Sequence, residues 1–559
     1  MEITDGRNGA NILLEVLETE GVEYIFGNPG TTELPLMDAL IDKPDIHYVL
    51  GLQESTVVAM ADGYAQASGK PGFINLHTAG GLGHGMGNLL NAYTSGTPLV
   101  VTAGQQDSRH SLTDPLLQGD LASIAEPSCK WAAEVSSPDQ IPILTHRAFQ
   151  DSRATPSGPV FLSLPMNVME EMSQVKISDI SHVDRRPVAH SLPELADELA
   201  CVTPGRVAII AGDEISVNDA YKEVVELAEM LAAPVFGSSW PAHIPYPTSH
   251  YLWQGNLPTR ATDIANAMKG FECVFALGGK SFITILYSEE SALPVGCNLF
   301  QLSADGRDLG RTYPSKLSVV GDIEFSLSEL NGLLKEKVVA SAQQYELRRK
   351  SLKSAFVDRR KNLLQQAREV ENDFVINPLA AARELVAAIG QTPIVDEAIA
   401  TAAHLRKFLN NDYTRQYSFL RGGALGWGMP AAVGFSLGLG RKPVVCLVGD
   451  GAAMYSPQAL WTAVNEKVPV TFIVINNLEY NVLKNYMRSQ PHYNSTRTGK
   501  FIAMDIVEPA INFSALANSM GMAAQKVTQI IDIQATVSRA IASGEPNLVE
   551  IVVSADELE

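Results

Sequence analysis

The sequence predicts an α/β protein with three domains, each built on a parallel sheet. Its 559 residues are enough for three or four domains. Short apolar runs rich in β-branched residues alternate with segments of helical spacing along most of the chain, which is typical of parallel α/β folds. Several of these runs end in polar residues, at the sheet edge where ligands bind in such folds.

Composition and charge exclude several classes of protein. Hydrophobic residues make up 46% of the chain and charged residues 19%, a globular composition. The net charge of −20 argues against a nucleic-acid-binding surface. The five cysteines form no C-x-x-C motif and fit free thiols in a reducing compartment. Because Met1–Gly6 lacks a signal region and no apolar stretch reaches about 18 residues, we expect a cytoplasmic protein without a membrane span.

The first domain is predicted over residues 1–171. Helical spacing marks 10–20, 55–68 and 80–92, and strands are predicted for 24–26, 47–50, 73–77, 99–102 and 159–164. The segment 27–34 has the composition of a turn that opens a helix. The polar residues 172–192 are predicted to be largely a linker.

A central domain is predicted over residues 190–335, with strands at 207–210, 234–236, 273–277 and 299–302. Residues 336–377 are predicted to be a charged helical linker. Its basic clusters could contact a nucleotide, but the interspersed acidic residues favour a solvated connecting helix. The third domain is predicted over 378–559, with strands at 393–396, 444–448, 472–475 and 548–553.

Two neighbouring strands of the third domain end in a candidate metal site. The first is followed by Gly449-Asp450-Gly451 and the second by Asn476-Asn477. The carboxylate of Asp450, the amide oxygen of Asn477 and a backbone carbonyl, that of Glu479, could hold a small octahedral cation such as Mg²⁺. The alternative is an ordinary strand-end turn with an Asx cap.

The residues around this turn also suit a phosphate. Gly449 and Gly451 let the backbone approach it closely, and a helix predicted to start near Ala452 would direct free N–H groups at it. This combination resembles the diphosphate-binding motif of thiamine-diphosphate-dependent enzymes, which runs from Gly-Asp-Gly to Asn-Asn over a similar interval. The resemblance implies pyrimidine-binding, central and diphosphate-binding domains, metal ligation by Asp450 and Asn477, and cofactor contacts by Ala452 and Tyr480.

The resemblance assigns the other end of the cofactor to Glu54, Gly423 and Leu425. Glu54 would hydrogen-bond the aminopyrimidine N1′ and help to activate the thiazolium C2, from a different subunit than the diphosphate site. The Gly423 carbonyl would accept from the 4′-amino group, and Leu425 would be the apolar wedge that bends the cofactor. From the residues alone, Glu54 fits a surface carboxylate at a helix start, and 421–430 fits a flexible glycine-rich loop. NAD binding is not favoured, because no G-x-G-x-x-G lies between a clear strand and helix.

Segments 27–35, 73–77 and 101–106 resemble the benzoylformate decarboxylases within this family. The resemblance places Thr31, where the family has Ser, on the substrate carboxylate, and His77 as a proton-transfer group. The family's second catalytic histidine is missing, since Ile285 stands in its place. The side chains Leu483, Tyr486 and Met487 would line the substrate pocket, although ordinary helix packing explains them equally well.

The predicted activity is thiamine-diphosphate- and Mg²⁺-dependent, non-oxidative decarboxylation of an aromatic or branched 2-oxo acid to an aldehyde and CO₂. One alternative is an acetolactate-synthase-like carboligase or a C–C lyase, which a nucleotide-binding central domain would favour. Another is a catalytically silent cofactor-binding subunit. The resemblance implies a homodimer at least, with a homotetramer expected, and a small-molecule substrate as the partner. His84, His110 and His492 are candidates to replace the missing histidine.

Overall fold

The computed structural model describes residues 6–555 and contains three six-stranded sheets in which every neighbouring pair of strands is parallel. Each sheet takes all its strands from one continuous part of the chain. The predicted fold class is therefore confirmed. Residues 1–5, which include most of the segment examined for a signal, and residues 556–559 lie outside the described residues. The predicted domain boundaries stay predictions.

The first sheet has the strand order β2-β1-β3-β4-β6-β5. Adjacent residues of its strands are buried on opposite faces, as Ile25 and Phe26 show, because helices cover both sides. Its strands are β1 Tyr24–Gly27, β2 His47–Leu50, β3 Gly72–His77, β4 Leu99–Gln105, β5 Ala132–Glu134 and β6 Val160–Pro165. Its helices are α1 Gly9–Thr19, α2 Leu34–Ala39, α3 Glu54–Ser68, α4 Thr78–Ser95, α5 Leu121–Ala125, α6 Ile141–Arg153 and α7 Met166–Glu170.

The second sheet has the strand order β9-β8-β7-β10-β11-β12. One buried cluster is confined to this sheet and its helices, and a larger one continues into the third domain. Its strands are β7 Val207–Ala211, β8 Val235–Gly237, β9 Trp253–Asn256, β10 Cys273–Leu277, β11 Asn298–Ser303 and β12 Leu317–Val320. Its helices are α8 Leu192–Cys201, α9 Glu214–Val217, α10 Tyr221–Leu231, α11 Ala261–Ala267 and α12 Ile323–Lys337. The long, mostly exposed helix α13, Ala342–Glu369, follows.

The third sheet has the strand order β14-β13-β15-β16-β18-β17. Its strands are β13 Ile394–Glu397, β14 Tyr417–Phe419, β15 Val444–Gly449, β16 Val470–Asn476, β17 Ala523–Val527 and β18 Asn547–Val552. Its helices are α14 Pro378–Ile389, α15 Ala400–Phe408, α16 Gly428–Gly438, α17 Asp450–Ala453, α18 Gln458–Glu466, α19 Asn481–Arg488, α20 Asn494–Thr498, α21 Phe513–Ser519 and α22 Ile530–Ala542. Within residues 6–555, no helix combines the length and hydrophobicity needed to cross a bilayer.

Five strands were not predicted, and all of them are sheet edges: β5, β9, β12, β14 and β17. An edge strand is short and has only one strand partner, so it lacks the long apolar β-branched run that marks a central strand. The predicted central strands are confirmed to within a few residues. Two short segments, Arg7–Asn8 and Met172–Ser173, also pair antiparallel outside the three sheets.

The first and third domains pack through α3 and α16, at positions that require glycine. A Cβ on Gly63 would lie 2.0 Å from the Ala431 carbonyl oxygen, and one on Gly434 would lie 1.8 Å from that of Met60. The indole N–H of Trp427, which precedes α16, donates to the buried Asp62 of α3 at 2.7 Å. This contact places the loop that leads into α16 against the first domain.

Candidate active site

Asp450 begins the turn at the end of β15, beside the end of β16. Its Oδ1 accepts from its neighbour Gly451 N, and its Oδ2 from Leu478 N, each at 2.7 Å. The residue is 5% exposed. Burial raises the pKa of Asp450 above its ordinary value, although these hydrogen bonds act in the opposite direction. A buried carboxylate with this environment is suited to a cation.

Residues 477–479 form a tight turn next to Asp450. Asn477 Oδ1 accepts from Glu479 N at 3.1 Å, and Leu478 between them has a φ of +62°, a strained value for a branched side chain. The Glu479 carboxylate pairs with Lys484, which also lies 2.6 Å from Asp505. Among the described residues, no group of three or more His, Cys, Asp and Glu is placed to hold a metal. A magnesium site here would use one carboxylate, one amide and a backbone carbonyl.

The turn leaves open space where a phosphate would approach. A Cβ on Gly449 would meet no atom within 4 Å, whereas one on Gly451 would lie 2.5 Å from the ring of Tyr480. The predicted helix near Ala452 begins two residues earlier, at Asp450, and ends at Ala453. It does not run on into α18, because the residue before Pro457 is disfavoured in a helix.

The loop 421–428 carries Gly423 and Leu425. Gly423 has a φ of +82° and open space around its Cα, and Leu425 is half-buried against the core shared by the first and third domains. Asn91 of α4 fixes the loop, because its amide donates to the Ala424 carbonyl at 2.8 Å and accepts from Ala424 N at 3.0 Å. The loop is therefore fastened to α4 of the first domain next to Gly423 and Leu425.

Glu397 at the end of β13 shapes the same loop and was missed by the sequence analysis. Its two carboxylate oxygens accept from Gly426 N and Gly428 N, each at 2.6 Å. Burial raises the pKa of Glu397 to about 7, against these backbone hydrogen bonds. Its position at the end of an apolar strand was the available signal, but its partners lie about 30 residues away in sequence.

Glu54 is the first residue of α3, and its side chain is largely buried. Its Oε1 accepts from Asn28 Nδ2 at 3.2 Å, and its Oε2 lies 3.1 Å from His84 Nδ1. A Cβ on Gly81 would come within 3.1 Å of this carboxylate, so the small residue allows α4 to approach it. Within the described chain no hydrogen bond joins Glu54 to Asp450.

His77 is the last residue of β3 and is paired with Glu33, which the sequence analysis did not single out. Their Nδ1 and Oε2 atoms lie 2.8 Å apart. Glu33 also accepts from Gly30 N at 2.8 Å and from Gly104 N at 3.0 Å. A Cβ at Gly30 would lie 2.3 Å from the imidazole, so glycine is needed there. Thr78 after His77 has a strained φ of +50°.

The predicted substrate residues lie at the surface of the single chain. Thr31 is exposed in the single 3₁₀ turn Thr31–Glu33, beside the buried Glu33. On α19, Leu483 is 45% exposed, and Tyr486 and Met487 are half-buried. Ile285 is 43% exposed in an irregular segment of the central domain.

Three family models match the chain in the order of its three sheets. The N-terminal thiamine pyrophosphate (TPP) binding domain matches residues 7–124, the central domain of these enzymes matches 203–330, and the C-terminal TPP binding domain matches 393–551. The fold and the strand-end residues thus define a thiamine-diphosphate-dependent enzyme. The chain belongs to the thiamine pyrophosphate enzymes.

Within this family, the chain is similar to benzoylformate decarboxylases and to acetolactate synthase subunits. A benzoylformate decarboxylase from Pseudomonas aeruginosa is 30% identical, with 96% of this chain and 97% of the relative covered. A probable acetolactate synthase large subunit from Methanocaldococcus jannaschii is 25% identical, with 98% and 92% covered. Among solved structures, a 4-hydroxybenzoylformate decarboxylase from Rhodococcus jostii RHA1 superposes with a TM-score of 0.86 at 26% identity, covering 99% of this chain and all of that one. A benzoylformate decarboxylase from Polynucleobacter necessarius has a TM-score of 0.86 at 27% identity, with 98% and 99% covered.

Proposed function

We propose that this enzyme is a Mg²⁺-dependent decarboxylase of an aromatic or branched 2-oxo acid, releasing an aldehyde and CO₂. The observation that carries the proposal is the joint placement of His77 and Glu54 around segment 28–33. Asn28 donates to Glu54, and Glu33 pairs with His77. A candidate proton-transfer imidazole and a candidate cofactor-directed carboxylate thus both contact this one segment, which supports proton transfer during release of the aldehyde.

The cofactor and metal would be held by the residues predicted from the motif. Asp450, Asn477 and the Glu479 carbonyl would bind Mg²⁺, which keeps water and phosphate oxygens in its remaining positions. The diphosphate would lie over the backbone around Gly449, in the space that lacks neighbouring atoms. When bound, thiamine diphosphate supplies a nucleophilic carbon for the keto group and an electron sink for the electron pair released with CO₂.

The protein's own side chains would orient the substrate and move protons. The exposed Thr31 hydroxyl would donate a hydrogen bond to the substrate carboxylate. Glu33 holds His77 through Nδ1, so Nε2 is the nitrogen left to exchange a proton with the reacting carbon or oxygen. Glu54 would exchange its proton with the cofactor's aminopyrimidine, because a partly desolvated carboxyl readily shares a proton with a ring nitrogen.

A second candidate is an acetolactate-synthase-like carboligase or C–C lyase. Two observations favour it: acetolactate synthase subunits are relatives over nearly the whole chain, and Ile285 supplies no proton where the resemblance places a second histidine. Slower proton delivery would give a second carbonyl compound time to react. A silent cofactor-binding subunit is disfavoured, because Glu54, Gly423, Asp450 and Asn477 are all present.

The test is turnover of a panel of 2-oxo acids with thiamine diphosphate and Mg²⁺, measured as CO₂ and as product. Benzoylformate, 4-hydroxybenzoylformate, 2-oxoisovalerate and pyruvate span the substrate range. We expect the enzyme to release an aldehyde from an aromatic or branched acid. We expect Glu54→Gln to bind the cofactor but to release no aldehyde. A 2-hydroxy ketone as the main product would establish the carboligase instead, and bound cofactor with no turnover of any substrate would establish the silent subunit.

We further propose that the active enzyme is a cytoplasmic homodimer or homotetramer. The family resemblance supports this, since it assigns Glu54 and the diphosphate site of one cofactor to different subunits. Sedimentation of the enzyme with and without cofactor tests the assembly, and a fully active monomer would overturn it.

A further inference from the structure

We propose that His84 is a positioning residue for Glu54 that carries protons between solvent and its carboxylate. The proposal rests on the proposed function, in which Glu54 exchanges a proton with the cofactor. It assigns to His84 a role that neither the fold nor the motif identifies.

The first observation is the contact itself. Glu54 has two hydrogen-bonding neighbours, Asn28 at Oε1 and His84 at Oε2. The Asn28 amide can donate a hydrogen bond but cannot pass on a proton. His84 is therefore the neighbour that can deliver a proton to Glu54 or remove one.

The second observation is the accessibility of the imidazole. The side chain of His84 is 66% exposed, whereas that of Glu54 is 12% exposed. In the single chain Nδ1 of His84 faces the carboxylate, which leaves Nε2 to exchange protons with water that reaches the site, the arrangement of a proton shuttle. Glu54 alone is poorly placed to exchange protons with bulk solvent.

The proton transfer is balanced and needs no further reagent. In one direction Nε2 takes a proton from hydronium, and the Nδ1–H bond of His84 breaks as an O–H bond forms at Glu54 Oε2. The ring is then neutral, with its proton on Nε2. In the reverse direction the same bonds return the proton to solvent, without any change in oxidation state.

The other charged groups on the elements packed around His84 are not hydrogen-bonded to Glu54 within the described residues. His77 at the start of α4 pairs with Glu33, and Asp62 on α3 accepts from Trp427. On the side of α5 and the turn after it, Asp120 caps the helix by accepting from Ser123, and Glu126 follows in the 3₁₀ turn. His84 is thus the imidazole in hydrogen-bond distance of Glu54.

This role would also compensate for a missing group. The resemblance places a second catalytic histidine where this chain has Ile285, an aliphatic side chain that transfers no proton. Besides His77, which pairs with Glu33, His84 supplies a second imidazole, beside Glu54. It would act on cofactor activation rather than directly on the substrate.

The experiment compares His84→Asn with His182→Asn, an exposed histidine in the segment between the first two sheets. Asn keeps a hydrogen-bonding amide near Nδ1 but transfers no proton. Cofactor affinity is measured by calorimetry, and deuterium exchange at the thiazolium C2, without substrate, by quenched-flow NMR. We expect both variants to bind the cofactor with an affinity within threefold of wild type. We expect C2 exchange to be slowed at least tenfold in His84→Asn and to be unchanged in His182→Asn.

A second variant distinguishes proton transfer from packing. In His84→Ala, added imidazole should restore C2 exchange in proportion to its concentration, and the pH profile of exchange should change shape relative to wild type. Unchanged exchange in His84→Asn, or cofactor binding without imidazole rescue in His84→Ala, overturns the proposal. Glu54→Gln separates the two proposals. If C2 exchange is at the wild-type rate in both the His84 variants and Glu54→Gln, the proposed role of Glu54 fails together with that of His84. If exchange is slow in Glu54→Gln but unchanged in the His84 variants, only the His84 inference fails.

Discussion

Glu33 Oε2 lies 2.8 Å from His77 Nδ1, and the Glu33 side chain is 1% exposed. The carboxylate is held in turn by backbone N–H groups from two different segments, at Gly30 and Gly104. The imidazole is therefore fixed by a rigid partner rather than by solvent. This arrangement orients a histidine and selects its tautomer, as carboxylates hydrogen-bonded to catalytic or metal-binding histidines do in other enzymes.

Glu33→Gln is expected to reduce turnover about 10- to 100-fold, because the amide no longer favours the same tautomer of His77. Cofactor affinity should change little, since Glu33 does not touch the predicted diphosphate site. Steady-state kinetics and calorimetry with thiamine diphosphate make the comparison, with Glu290→Gln on an exposed segment as the control. Wild-type turnover in Glu33→Gln would contradict the role assigned to the pair.

Asp450→Ala is expected to weaken cofactor binding at least about 100-fold when Mg²⁺ is present, because both a metal ligand and a buried turn acceptor are lost. The stimulation of binding by Mg²⁺ should disappear. Titration with thiamine diphosphate, with and without Mg²⁺ or EDTA, measures both effects. Asp532→Asn, an exposed carboxylate on α22, is the control. Equal Mg²⁺ dependence in Asp450→Ala and wild type would place the metal elsewhere.

Glu397 predicts a pH dependence of stability. Its pKa is raised from the ordinary 4.5 to about 7 in the folded protein. Its contribution to stability is therefore present below about pH 4.5 and is lost as pH rises through 7, a change of the order of 3 kcal/mol. Between pH 5 and 7.5 the melting temperature of wild type should fall relative to that of Glu397→Gln. Parallel melting curves for the two proteins across this range would show that Glu397 does not titrate there.

Gly63→Ala is expected to destabilise the contact between α3 and α16 by about 1–3 kcal/mol, because the new methyl group would overlap the Ala431 carbonyl. Gly332→Ala is the matched control: it lies inside α12 with no atom within 4 Å of its Cβ, so alanine should raise helix stability slightly. Thermal unfolding of the two variants measures the difference. Similar melting temperatures would mean that the helices can separate without cost.

Sequence patterns predicted the central strands, because these are buried on both faces and must be apolar along their whole length. The strands that were not predicted are all sheet edges: β5, β9, β12, β14 and β17. Residues of an edge strand contact solvent and loops as well as the core, so they need not be apolar along the whole strand. The break between α17 and α18 also escaped the sequence analysis, although Pro457 marked it. Sequence patterns thus predicted the elements in which burial requires a regular pattern of apolar residues.

The sequence alone determined which residues stand at strand ends, including Asp450, Asn477 and His77, because a parallel sheet aligns the carboxyl ends of its strands at one edge. Only the tertiary structure decided which carboxylate meets which imidazole. Glu33 reaches His77, and Glu54 reaches His84, across 44 and 30 positions of chain. Pairings of that range depend on how strand and helix ends pack, and glycines at 30, 81 and 104 make room for them. No local pattern in the sequence encodes that packing.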